Sequence, residues 1–150
     1  VTTIATDGRS MAGDGRVTEG DVITQDDYRK IRKLGDGRIV AFSGNAYNDD
    51  SVVAWLENQD RGEPPKGLED ESFGCLVLSP DGTLTTYDQY GREFHESPPY
   101  AMGSGRRFAL AALDLGKSPR EAVAYACTRD VFSGGEITVL TIEPPIRAVA

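Results

Sequence analysis

Glycine-bearing turns recur along this chain at intervals that leave room only for brief strands between them. The clearest, Ser79-Pro80-Asp81-Gly82, separates the apolar run 73–78 from the β-branched, aromatic run 83–87. Proline and glycine preset the backbone for a reversal there, so the two runs should return on each other as an antiparallel hairpin. The first residues follow the same rule. Thr3, Ala5 and Asp7 alternate with Ile4 and Thr6, and the turn at Gly8-Arg9 leads into a second strand that runs to Asp14. Residues 21–28 read as a polar, turn-rich connection. Residues 29–34 then mix basic and apolar side chains ahead of the turn Gly35-Asp36-Gly37, and 38–43 (RIVAFS) form a short buried strand stopped by Gly44. A third short strand is expected at 93–95 and a last one at 136–142, with Pro144 and Pro145 closing the ordered fold.

Helical patterns are fewer. One is expected over 50–59, started by the carboxylate of Asp49 or Asp50 and ended by the GEPP segment at 62–65. A second covers 107–115 and stops at Gly116. A third opens with Ser118 as N-cap, Pro119 in the first position and Glu121 three residues beyond the cap. The last two carry Ala109, Ala111, Ala112, Ala122, Ala124 and Ala126, small side chains that permit close packing on each other or on a sheet. Strands that come as hairpins, with helices between blocks of them, predict an α+β sandwich of two stacked, largely antiparallel sheets with helices outside. A doubly wound parallel sheet would need a helix after nearly every strand.

Composition limits the function classes. At 150 residues with 39% apolar and 27% charged side chains, the expectation is one globular domain over residues 1–150. No apolar run approaches the roughly 20 residues of a membrane helix, and no basic-then-apolar start is present, so no membrane association and cytoplasmic residence are expected. The formal charge of −8 argues against nucleic acid as a partner. Cys75 and Cys127 lie in apolar runs and read as free thiols, and with a lone His95 a zinc site is not expected.

Other motifs fall away. Gly103-Ser104-Gly105 before a helix lacks the remaining glycine spacing, and the lysine, of a phosphate loop. Asp21, Asp26 and Asp27 do not have the spacing of a calcium loop. His95 has no serine or cysteine nucleophile tied to it by spacing, and Arg106 and Arg107 read as facing solvent or a partner subunit. What remains is a hydroxyl at Thr2, a carboxylate at Asp14 and an amine at Lys30. On a half-buried strand Lys30 would share a face with Arg32 and Leu34, and an inward lysine needs a carboxylate partner, for which Asp14 is the candidate. Two readings of these groups stand side by side. One is an ordinary buried ion pair beside a polar strand start. The other is an N-terminal threonine whose own α-amine serves as general base, since a hydroxyl does not attack an amide unaided.

Several motifs in order bear on that choice: TTIA from Thr2, MAGDGRVT from Met11, YRKIRKL from Tyr28, IVAFSGN from Ile39, MGSG from Met102 with the alanine-rich helix after it, and RDVFSGG from Arg129. Together they resemble the N-terminal-nucleophile hydrolases of the proteasome β-subunit type, and in particular their bacterial HslV branch. The resemblance implies a four-layer αββα sandwich and a threonine peptidase acting through an acyl-enzyme, with no metal or organic cofactor. It implies Thr2 as nucleophile and Asp14 with Lys30 as its supporting pair. Ser104 is implied near the terminal amine, with Asp130 and Ser133 beside the threonine and backbone N–H groups near Gly44 as the oxyanion hole. It also implies peptide or unfolded protein as substrate, a homo-oligomeric ring, and an ATP-dependent unfoldase as partner. Two departures are visible. Val1 precedes Thr2, and a chain that keeps it has an amide where the base should be. One short helix also stands where the family has two substantial ones, which predicts a shortened helical layer. A noncatalytic assembly protein retaining the fold is the alternative those departures raise, and a small-molecule amidase is a second.

Overall fold

The computed structural model describes residues 2–58 and 62–143. The chain opens with β1 (Ile4–Thr6) and β2 (Ser10–Gly13), then β3 (Val17–Glu19) and β4 (Val22–Gln25), then β5 (Ile31–Lys33) and β6 (Ile39–Ser43). Helix α1 (Asp49–Glu57) leads through a short 3-10 turn, Lys66–Glu69, to β7 (Gly74–Leu78), β8 (Leu84–Tyr87), β9 (Glu93–Glu96) and β10 (Tyr100–Met102). Helices α2 (Arg106–Asp114) and α3 (Pro119–Cys127) come next, and β11 (Thr138–Thr141) closes the described fold. The expected closing role of Pro144 and Pro145 lies outside the described residues, as does Val1.

Two sheets carry the architecture. One runs β10-β1-β2-β11 and the other β5-β6-β7-β8-β9, and every pairing in both is antiparallel. Strand periodicity sorts the side chains into three apolar layers. Between the sheets lie Ile4, Met11, Ile31, Ile39, Ala41, Leu76 and Leu78. Their neighbours Ala5 and Ala12 point the other way, onto Ala109, Ala112, Ala122 and Ala126 of α2 and α3. On the far side Val40, Phe42 and Val77 meet Val52, Trp55 and Leu56 of α1, with Leu68 of the 3-10 turn beside them. The result is the αββα sandwich with one full and one shortened helical layer. Among the described residues α1 is the one α-helix on that second face; the chain bends at Gly62 and Glu63 and, after Pro64 and Pro65, forms only the 3-10 turn.

Local signals explain most boundaries. Ser118 and Glu121 form a reciprocal capping box at the start of α3, with Pro119 in its first turn. Helix α1 starts one residue earlier than expected and runs to Glu57, with Asn58 as its C-cap; the expected end at Gln59 lies outside the described residues. The larger difference concerns residues 21–28. They were expected as a polar connection, but β4 pairs with β3 there as a separate two-stranded ribbon. Its side chains are exposed, Val22 by 58% and Ile23 by 50%, so burial contributed no apolar run to read. Val17, Thr18, Thr24 and Gln25 of the ribbon line the same cleft as Thr2 and Lys30.

Candidate active site

Five segments meet at the site: the start of β1, the residue following β2, the residue preceding β5, the turn before α2 and the turn after α3. Asp14 follows β2 in one sheet and Lys30 precedes β5 in the other, so a contact between them ties the two sheets together. The Lys30 ammonium donates to Asp14 Oδ1 at 2.9 Å, and both side chains are almost wholly buried. Burial pushes the Lys30 amine below its ordinary pKa, and the Asp14 charge and hydrogen bond pull it part of the way back. The register is kept by the Phe42 N–H donating to the Lys30 carbonyl at 2.9 Å.

Asp14 does more than pair with the lysine. Its Oδ1 also accepts from the Thr3 N–H at 2.9 Å, and its Oδ2 accepts from the N–H groups of Gly134 at 3.0 Å and Arg16 at 3.2 Å. Four donors thus meet the carboxylate, which offsets the cost of burying it at 1% exposure. The same bonds hold the backbone at Thr3, and with it the position of Thr2.

A second network approaches Thr2 from the opposite side. The Thr2 N–H donates to Ser104 Oγ at 3.0 Å, and Ser104 Oγ lies 2.6 Å from Asp130 Oδ2. A hydroxyl has one proton to give. The 2.6 Å bond to a carboxylate outweighs the 3.4 Å contact with the Thr2 carbonyl, so Ser104 donates to Asp130 and accepts from Thr2. Ser133 Oγ donates to the same Asp130 oxygen at 2.6 Å and bonds Thr3 Oγ1 at 2.7 Å. Burial raises the Asp130 pKa, but the bonds from Ser104, Ser133 and the Phe132 N–H outweigh it and leave the group below the ordinary carboxylate range.

Glycine permits this closeness. Gly103 has φ +96°, and a Cβ there would run into the Thr2 carbonyl; one at Gly105 would run into Thr3 Oγ1. The glycine turn that resembled a phosphate loop serves to bring Ser104 against the first residues of β1. Gly44 has φ +88° and closes β6 directly against the Ser72 carbonyl.

Thr2, Lys30, Gly44 and Ser104 line one open cleft of about 1010 Å³, with Tyr28, Phe42, Asp49 and Phe73 farther along its wall. Asp14, Asp130 and Ser133 stand behind this surface. Sequence reasoning missed Thr3, whose hydroxyl and amide tie both networks together, and Gly134, whose N–H binds Asp14. The adjacent threonine pair and the double glycine after Ser133 were the available signals. It also missed the Tyr28–Asp49 contact, 2.6 Å from phenol to carboxylate, which spacing does not foretell. Arg106 stays at the surface, where it donates to the Gly103 carbonyl, and His95 is exposed beside Glu93.

No family model matches the chain. It is 45% identical over 155 aligned positions to the ATP-dependent protease subunit HslV of Pseudothermotoga lettingae, spanning 86% of this chain and 88% of that protein. Among solved structures, the fold superposes on the HslV of Trypanosoma brucei with a TM-score of 0.70 at 22% identity, over 93% of this chain and 98% of that one. It superposes on Thiobacillus denitrificans BPH with a TM-score of 0.69, also at 22% identity, over 95% of this chain and 98% of that one.

Proposed function

Because the chain belongs to the HslV branch of the proteasome-type N-terminal-nucleophile hydrolases, and is a threonine peptidase, we propose that Thr2 is its nucleophile and that the two networks around Thr2 are its catalytic apparatus. The observation that carries this reading is the convergence of the buried Lys30–Asp14 pair and the Ser104–Asp130–Ser133 chain on the residue that would bear the free amine.

With Thr2 as the first residue, its amine donates one N–H to Ser104 Oγ, which aims the nitrogen lone pair toward the threonine hydroxyl. The Lys30 ammonium, held charged by Asp14, disfavours a second positive charge and so keeps the amine neutral. The amine takes the hydroxyl proton as Oγ attacks the scissile carbonyl carbon. The developing oxyanion is met by the N–H of Gly44, and collapse forms the ester while the departing amine leaves with the proton. Water activated by the same nitrogen then hydrolyses the ester and regenerates Thr2. Where a residue precedes Thr2, the nitrogen is an amide without a basic lone pair and the cycle does not start.

The substrate in this reading is peptide or unfolded protein, cleaved in the cytoplasm by a single domain of residues 1–150 assembled into a closed homo-oligomeric ring. The partner in this reading is an ATP-dependent unfoldase; the similar protein of Pseudothermotoga lettingae is an ATP-dependent protease subunit. Leu115 and Val131, 83% and 74% exposed, with Tyr125 and Phe132 nearby in sequence, supply apolar surface for such an assembly. Among the described residues no helix is long and apolar enough to cross a membrane.

The test compares the form beginning at Thr2 with a form retaining the preceding residue. The first should be labelled at Thr2 by a threonine-directed electrophile and should hydrolyse peptides, and the second should do neither. A folded, Thr2-exposed protein that neither labels nor cleaves, even with an unfoldase supplied, would leave a noncatalytic assembly role. Light scattering across a concentration series tests the ring, and a persistent monomer rejects it.

A further inference from the structure

The cleft wall beyond Lys30 holds a carboxylate that the proposed chemistry does not use. Asp49 begins α1, is 2% exposed, and lines the same cleft as Thr2. Its Oδ2 accepts from the Tyr28 phenol at 2.6 Å and lies 3.9 Å from Arg32 Nη2. Its Oδ1 is buried and has no hydrogen-bond partner among the described residues. A carboxylate oxygen in that position costs stability unless something donates to it.

Local charge does not remove the deficit. Arg32 lies nearest, but its short contact is with Asp50, at 2.8 Å, so one guanidinium is shared between two carboxylates. Lys30 is committed to Asp14 and Arg16 to Asp26, the latter at 2.8 Å. Burial first, and the neighbouring Asp50 charge in addition, hold the Asp49 carboxyl above its ordinary range; the Tyr28 bond and the Arg32 charge only partly offset this. Two further cleft-lining side chains are acidic, Glu19 and Glu71. Phe42 and Phe73, stacked with ring centroids 5.9 Å apart, give the same cleft an apolar stretch of wall.

We propose that the Tyr28–Asp49 wall is the seat of a substrate lysine or arginine side chain next to the scissile bond, its cationic head donating to Asp49 Oδ1 and its aliphatic stem lying along the Phe42–Phe73 surface. Long basic side chains divide in this way between apolar and charged surroundings. A leucine fills the apolar stretch but leaves Asp49 Oδ1 without a donor, and a glutamate places a second carboxylate against it. Selection by a buried group left unpaired by the wrong substrate is strong compared with selection by apolar size alone. The inference rests on the threonine peptidase reading of the cleft.

Three peptides differing only in the residue before the scissile bond, lysine, norleucine or glutamate, are compared by kcat/KM with the Thr2-exposed protein, alongside covalent labelling of Thr2. Lysine should exceed norleucine by about 10-fold or more, and glutamate should be the poorest. In Asp49→Asn the ratio of lysine to norleucine should collapse toward unity, a within-variant ratio that does not depend on how much of the variant folds. The native panel needs no variant at all. Labelling and cleavage with norleucine equal to or better than lysine, or an unchanged ratio in Asp49→Asn, overturns this proposal and leaves the peptidase reading standing. No labelling and no cleavage of any peptide defeats both.

Discussion

Replacing Asp14 by asparagine keeps the shape of the side chain and removes its charge, and the bonds around it set the size of the effect. The carboxylate accepts from Lys30, Thr3, Gly134 and Arg16. An amide offers one acceptor oxygen, so either the N–H groups of Gly134 and Arg16 or those of Thr3 and Lys30 face an NH₂ and lose their acceptor, and in both orientations the Lys30 ammonium loses its counter-charge. Breaking a buried ion pair from one side typically costs about 3–5 kcal/mol. An independent ceiling comes from Lys30, which in the variant escapes by losing its proton. At pH 7 an ordinary lysine pKa of about 10.4 and about 1.36 kcal/mol per unit limit that escape to roughly 4.6 kcal/mol, and at pH 9 to roughly 1.9 kcal/mol. The sign follows from linkage. Burial leaves the folded lysine with the lower pKa, so the unfolded chain binds more protons and stability rises with pH up to the unfolded value. Urea denaturation followed by the fluorescence of Trp55, the only tryptophan and 8% exposed, measures both values. Asp14→Asn should lose about 3–4.6 kcal/mol at pH 7 and recover a kilocalorie or more of it by pH 9. A loss below about 1 kcal/mol at pH 7, or one that does not shrink as pH rises, refutes the account of a lysine held in place by this carboxylate.

Lys30→Met leaves Asp14 with its backbone N–H donors, so it should cost less stability than Asp14→Asn in the same denaturation assay, while peptide hydrolysis falls by a factor of about 100–1,000 or more. Thr2→Ala should abolish labelling and turnover together and leave the unfolding midpoint close to the parent value, read by mass spectrometry and urea titration. Gly44→Ala places a Cβ against the Ser72 carbonyl at φ +88°; a cost of about 1–3 kcal/mol and slower labelling of Thr2 are expected, from a melting curve and a labelling time course. Ser118→Ala removes one half of the capping box of α3 and should cost about 1 kcal/mol in a thermal melt without changing the labelling rate.

Much of the fold is readable because its signals are local. Turn chemistry at Ser79-Pro80-Asp81-Gly82 and the capping box at Ser118 act within a few residues, and alternation along Ile39, Val40, Ala41 and Phe42 assigns each side chain to a layer before any partner strand is known. Thr2, Asp14 and Lys30 could be grouped from the residues, because an inward lysine needs a carboxylate; Ser104, Asp130 and Ser133 joined them only by resemblance of the motifs that hold them. Their bonds to one another span as many as 102 residues, as between Thr2 and Ser104, and no spacing rule reaches that far. Tertiary structure decided the rest. The β3–β4 ribbon escaped notice because its exposed strands bury no face and so carry no pattern. Thr3 and Gly134 joined the site through a hydroxyl and a backbone N–H, groups whose use depends on what is brought opposite them. Asp49 read as a helix start, which it is; only packing against Tyr28 and the cleft wall made it also a buried carboxylate with an oxygen to spare. A helix-starting carboxylate is a property of neighbours in sequence, whereas its desolvation is a property of neighbours in space.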